Sequence, residues 1–284
     1  MLQIITDSAS DITKAEAEEM DIHIIPINIT FEDGACPQET HEDFMAFYNR
    51  LEKSKTLPKT SAQSPYNFLE LFQNVQKNDD EAIVITLYSG LSSVINSAEM
   101  AKKMCEYQKI YVVDSKQAIA SQRILVEYAV KLRKQKVNTE EIVSRLEKLR
   151  ERLTVNGMID TLTYLRKGGR IPPTLARIGD LLDIKPLVIM KDNQLQEMGK
   201  VRGSKAGKRR IKGRFEENPP NVAFPIYFVY TSDREKGQEF MDEMIEQYSL
   251  QECITRLLPV CGVIGTHLGT GGVGLAYVMD GEKI

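Results

Sequence analysis

Short apolar runs separated by amphipathic stretches fill the first 155 residues. QIIT (3–6), IHIIPINIT (22–30), AIVITLY (82–88) and KIYVVD (109–114) are rich in β-branched residues and predict strands. The stretches between them repeat at helical period. Thr13 with Glu16 has the form of a capping box, and Ser64 then Pro65 place an N-cap and a first-turn proline ahead of YNFLELFQNVQ. In EEIVSRLEKLRERL (140–153), Ile142, Val143, Leu146, Leu149 and Leu153 form one apolar stripe, leaving a charged, solvated face. Strands alternating with crossover helices predict a parallel sheet, so residues 1–155 are read as an amino-terminal α/β domain with flanking helices.

The rhythm changes after residue 156. LRKGGRIPP (165–173) reads as a helix end, a glycine pair and a proline stop, and IKPLVIM (184–190) as a strand followed by a DN turn and another strand. FPIYFVYT (224–231), ITRLLPVCGVIG (254–265) and VGLAYVM (273–279) predict further strands around helices at 203–216 and 234–247. Residues 156–284 are therefore read as a carboxy-terminal α/β domain with a mixed sheet.

Composition narrows the class without choosing the function. With 42% hydrophobic and 27% charged residues the chain fits a folded, water-soluble protein, and a net charge of −3 gives no global pull toward nucleic acid or anionic membrane. The opening MLQIITDSAS lacks a basic flank and a long apolar segment, which predicts a cytoplasmic location. Cys36, Cys105, Cys253 and Cys261 lack metal-ligand spacing and only three histidines accompany them, so reduced thiols, no metal and no cofactor are expected.

Small hydroxyl and acidic residues follow the strands of the first half, in IITDSASD, VITLYSGLSS and YVVDSKQ. The carboxyl ends of parallel strands share one edge, so Asp7, Ser8, Ser89, Ser92 and Ser115 are expected to line a common crevice; the alternative is that they cap the helices that follow. GLSSVI lacks the second glycine of a hydrolase elbow, and no Walker A sequence or GxGxxG follows the first strand. The glycines of CGVIGTHLGTGGVG (261–274) are read as a loop between two strand-like runs, letting backbone approach a ligand, with His267 as a polar grip; an imidazole satisfied by local backbone is the alternative. His23 and His41 are read as structural. Residues 199–214 carry eight basic and no acidic residues but lack the aromatics that stack on bases, which favours an acidic partner or a membrane surface over nucleic acid.

Seven segments fall in order along the chain: TDSASD (6–11), TSAQSP (60–65), SGLSS with the later SA (89–98), VVDS (112–115), LTYLRKGGRI (162–171), LLDIKP (181–186) and VIGTHLGTGGVG (263–274). On these the sequence resembles the DegV proteins, the fatty-acid-binding subunits of bacterial fatty acid kinases. The resemblance implies a two-domain fold with a long-chain fatty acid buried in a tunnel between the domains. It implies a non-catalytic carrier that offers the carboxylate to a separate ATP-dependent fatty acid kinase, which makes acyl-phosphate for phospholipid metabolism. By motif position, Thr60 and Ser92 bond the carboxyl group, Ser61 and Ser93 lie nearby, His267 supports the head group, and Arg170 and Arg202 serve the kinase encounter at the mouth of the site. Transient membrane contact fits such a carrier; nucleic acid does not. Departures from the family's usual wording at Val94, Ile95 and Leu268 imply a slot with its own chain preference. Each buried methylene stabilises by about 0.8 kcal/mol, so about fifteen offer roughly 12 kcal/mol gross, and the head needs only orientation by hydroxyls in place of arginine. Two competing functions remain open from sequence, a serine esterase using Ser92 and His267 and a nucleic-acid-binding protein using residues 199–214.

Overall fold

Three sheets organise the chain in the computed structural model, which describes residues 1–171, 184–191 and 194–281. The chain opens with β1 (Leu2–Asp7), a 3-10 turn, α1 (Lys14–Met20), β2 (His23–Ile25), β3 (Asn28–Phe31) and β4 (Gly34–Ala35). After α2 (His41–Lys53) come β5 (Lys59–Ser61), α3 (Pro65–Lys77), β6 (Glu81–Thr86) and α4 (Val94–Cys105). β7 (Ile110–Asp114), α5 (Ile119–Lys134) and α6 (Thr139–Arg150) follow. The order β2-β1-β6-β7 is parallel throughout, and the chain reverses its direction of travel across the sheet between β1 and β6. A crevice opens outside the carboxyl ends of the strands at such a reversal.

Local chemistry starts several of these helices. Thr13 accepts from the Glu16 backbone while Glu16 accepts from the Thr13 backbone, and Thr40 with Asp43 repeats the arrangement ahead of α2. Ser64 precedes Pro65 at the start of α3, but its hydroxyl donates to Asn67 Oδ1 instead of capping backbone. The run 22–30 is two strands, not one. Pro26 offers no N–H to a ladder, so β2 stays in the parallel sheet while β3 joins the antiparallel sheet β4-β3-β5. The stripe on α6 also stops early: Ile142, Leu146 and Leu149 are fully buried, whereas Leu153 begins the next strand.

The second half runs β8 (Leu153–Met158), α7 (Thr163–Lys167), β9 (Ile184–Lys191), β10 (Gln194–Arg202), α8 (Ser204–Glu217), β11 (Ile226–Tyr230) and α9 (Arg234–Tyr248). It ends with β12 (Thr255–Pro259), α10 (Gly262–Leu268) and β13 (Val273–Val278). Its mixed sheet has the order β10-β9-β8-β13-β11-β12, in which β11 and β12 are parallel and the other neighbours antiparallel. β8 spans the division expected between 155 and 156 and lies wholly in this sheet. The proline stop at 172–173, the LLD of LLDIKP and the DN turn at 192–193 lie outside the described residues. Among the described residues, no helix is long and apolar enough to cross a membrane.

The run 254–265, expected as one strand, ends as a strand at Pro259 and continues as helix α10. The Cys261 N–H donates to Asp11 Oδ1 at 2.8 Å and the Gly262 N–H to Gln38 Oε1, so tertiary partners override the weak helix propensity of Gly262 and Gly265.

One hydrophobic core runs through both halves, joining Ile4, Ile83 and Phe47 to Tyr227, Val260 and Ala276. A buried cation stitches the same seam. Arg123 on α5 is 2% exposed; its Nη2 meets Glu16 Oε1 at 2.6 Å, its Nε meets Glu127 Oε1 at 2.9 Å, and Tyr227 of β11 donates to Glu127 Oε2 at 2.6 Å. Removing one member of such a network strands the others in low dielectric. Arg123→Ala is expected to lower unfolding stability by about 3–5 kcal/mol in urea titration; a loss below about 1 kcal/mol, the scale of an exposed pair, would contradict that.

Candidate ligand-binding site

A cavity of about 520 Å³ lies where the carboxyl end of the parallel sheet faces the second sheet and α10. That volume is within the roughly 300–1,000 Å³ of small-molecule sites. Leu87 and Leu91 from the first sheet's edge, Val155 of β8, Val188 and Met190 of β9, and Ile264 of α10 supply apolar wall. Thr60, Ser61, Ser92, Ser93, Arg170 and His267 line the same cavity.

Each polar group is fixed by its element. Thr60 is held in β5 opposite Ile29, and its Oγ1 lies 3.4 Å from His267 Nε2. Ser92 follows the turn after β6, where its Oγ accepts from the Val94 N–H at 3.3 Å; Ser93 stands at the N-cap position of α4 without a side-chain capping bond. His267 sits in the last turn of α10 and is half-buried. A Cβ at position 168 would collide with its Nδ1, so the glycine after α7 is what lets the ring seat against that helix. Gly265, two residues earlier, likewise lets the Tyr48 ring approach α10, where the Tyr48 hydroxyl donates to Val260 O at 2.9 Å.

The imidazole is neutral at pH 7. Burial, and secondarily the nearby Arg170 charge, press its pKa down to about 4. Its Nδ1 is buried without a hydrogen-bond partner. Arg170 reaches the cavity from the glycine pair, donating from Nε to Leu91 O at 3.1 Å and from Nη1 to Gly168 O at 2.7 Å. A guanidinium therefore lines the same cavity as the hydroxyls. Two of its N–H groups are committed to carbonyls, which leaves it a fixed positive field beside His267.

The crevice expected from five strand-end residues is a correction. Of Asp7, Ser8, Ser89, Ser92 and Ser115, only Ser92 lines the cavity. Asp7 is buried and accepts from the Ala9 and Leu87 N–H groups and from Gln122, and burial lifts its pKa to about 6. Ser8 accepts from Ile27 N–H, Ser115 exchanges hydrogen bonds with Gln117, and Ser89 is exposed. The Asp7–Ala9 and Ser115–Gln117 bonds are the local backbone bonds of the capping alternative, whereas Ser8–Ile27 and Asp7–Leu87 tie distant segments together. Arg202 ends β10, exposed and away from the cavity. His23 and His41 also lie off it, His41 edge-on to Phe44.

Among the liners that sequence reasoning did not place in the site are Gln63, Ser97 and Ile119. Ser97 lies one helical turn beyond Ser93 on α4, a spacing that would have found it. The basic segment 199–214 is less concentrated than its sequence: Lys208 and Lys212 pair with Glu243, and Arg214 pairs with Glu217. Among the described residues no cluster of His, Cys, Asp and Glu could hold a metal ion.

The DegV family model, described as a family of uncharacterised proteins, matches residues 1–280. A DegV domain-containing protein of Clostridium perfringens is 30% identical over 291 residues, covering 99% of this chain and 98% of its own. The crystal structure of DegV from Bacillus subtilis, a fatty acid binding protein, superposes with a TM-score of 0.84 at 26% identity, covering 98% of this chain and 99% of that one. A stearic acid-binding protein from Eubacterium ventriosum gives a TM-score of 0.83 at 25% identity over 98% of each chain.

Between about pH 6.5 and 4 the unfolded chain protonates His267 while the folded one does not, so this group withdraws stability as pH falls through that window. Asp7, whose pKa is raised, has the opposite sign: its contribution fades as pH rises toward 6. The difference between wild type and His267→Asn isolates the imidazole. Its melting-temperature advantage for the variant should grow from pH 7 to pH 4, and NMR should place the wild-type ring titration near 4; a midpoint at or above 6.5 would contradict the burial argument.

Proposed function

The chain belongs to the DegV family, and from that premise we propose that it is a non-catalytic carrier which buries a long-chain fatty acid and presents its carboxylate to a partner ATP-dependent fatty acid kinase. The observation that carries this is the cavity itself: a largely apolar slot with hydroxyls, a neutral imidazole and one guanidinium gathered on it. An aliphatic tail gains affinity from the apolar wall, and a carboxylate takes directional hydrogen bonds from Thr60, Ser92 and their neighbours Ser61 and Ser93. His267 Nε2 can donate to the carboxylate once Thr60 releases it, and Arg170 supplies the attractive charge. In this function the chain divides between α6 and β8, with the slot between the two lobes.

The chemistry belongs to the partner. A carboxylate oxygen attacks the terminal phosphorus of ATP, the acyl C–O–P link forms and ADP leaves; a donor-only grip holds the carboxylate without protonating it. Arg170 at the mouth and exposed Arg202, with Lys200 and Lys205 near it, offer a positive surface to an acidic partner. A serine esterase finds less support, because His267 Nε2 meets Thr60 and not Ser92, and among the described residues Nδ1 has no hydrogen-bond partner.

Native mass spectrometry of the purified protein should show a co-purified fatty acid. Thr60→Val and His267→Asn should each weaken fatty acid binding about tenfold, the loss of one hydrogen bond to a charged group. Delipidated protein that takes up no fatty acid of any length would overturn the function.

A further inference from the structure

We propose that Ile119 is a specificity-determining residue, whose side chain is driven into the cavity by a strained backbone and limits the length or bulk of the acyl chain accepted. The inference rests on the fatty acid function proposed for the same cavity and deepens it.

Eight described residues other than glycine have positive φ, and seven of them are polar: Asp11, Asp21, Asp79, Glu106, Lys116, Lys136 and Ser249. These occupy helix exits or turns, where the left-handed region is an ordinary solution for closing a helix; Asp21, Glu106 and Ser249 are the C-caps of α1, α4 and α9. Ile119 differs from them in type and in place. It is β-branched, it opens a helix instead of closing one, and it holds φ +51 at 5% exposure. A branched side chain in that region is crowded by its own carbonyl, and such a conformation persists where the surroundings over-determine it.

The surroundings do so here. Ser115 and Gln117 close a tight turn just before it, Tyr88 N–H donates to Gln117 O, and Ser121 donates to Ala118 O. α5 then runs buried on nearly every face, so its first residue cannot rotate outward. The Tyr88 turn is also the one that delivers Ser92, whose N–H bonds Tyr88 O, so the segment bearing Ile119 is braced against the segment bearing a head-group hydroxyl. A glycine would satisfy this backbone without strain. Ile119 and Ala118 both line the cavity.

The test compares wild type, Ile119→Gly and Ile119→Ala, each first delipidated, in competition binding of palmitic acid, arachidic acid and a methyl-branched C17 acid, read by native mass spectrometry. Glycine removes strain and side chain together, and alanine removes the side chain alone. Both should shift the preference toward the longer or branched acid by about tenfold or more, the scale set by a methylene or two in an apolar pocket. The glycine variant should melt higher than the alanine variant. Should either variant fail to fold, Ile119→Val is expected to show a smaller shift in the same direction. Unchanged preferences with binding intact overturn the inference and leave the carrier function standing. Failure of wild type to bind any of the three acids overturns the carrier function itself, and this inference with it.

Discussion

The short helix α10 is the wedge on which both halves of the molecule close. Its start is held by Asp11 and Gln38 from the first half, its flank by Tyr48 of α2, and its far end by α7 of the second half. Seven residues with two glycines have little helical tendency of their own. The helix therefore exists only where these contacts hold it, and its last turn is where His267 must be to face Thr60. Geometry of the polar end is thus set by the seam between the halves and not by either half alone.

Desolvation decides the charge state along that seam. Burial raises the Asp7 pKa to about 6 and the Asp11 pKa to about 7, and lowers that of His267 to about 4, so acid and base both move toward neutrality. Arg123 is the exception. It stays charged because Glu16 and Glu127 surround it, and the exchange drives Glu16 down to about 2. The cavity is left lined by uncharged hydroxyls and a neutral imidazole, with the Arg170 charge beside them.

Much of this was legible in the sequence, for local reasons. The capping box at Thr13 and the strand runs of β1, β6 and β7 are short-range signals, and they gave the parallel sheet. Thr60, Ser61, Ser92, Ser93, Arg170 and His267 were expected together from motif order, and they line one cavity. What stayed hidden depends on distance. The helix at 262–268 is capped by residues more than two hundred positions away, and so reads as strand and glycine loop. Asp7, Ser8 and Ser115 carry the residue types of a ligand edge, yet their partners are the backbone of adjacent turns, the backbone of the distant Ile27 and Leu87, and the Gln122 side chain. Ile119 looked like any apolar helix residue because positive φ leaves no mark on an isoleucine.

A crystal structure with stearic acid bound tests the central claim most directly. A carboxylate oxygen should lie about 3 Å from Thr60 Oγ1 and from the Ser92 hydroxyl, within reach of His267 Nε2, with the tail running past Val155 and Met190. A tail lying against Thr60 and His267 with the carboxylate elsewhere, or a fatty acid bound outside this cavity, would contradict it.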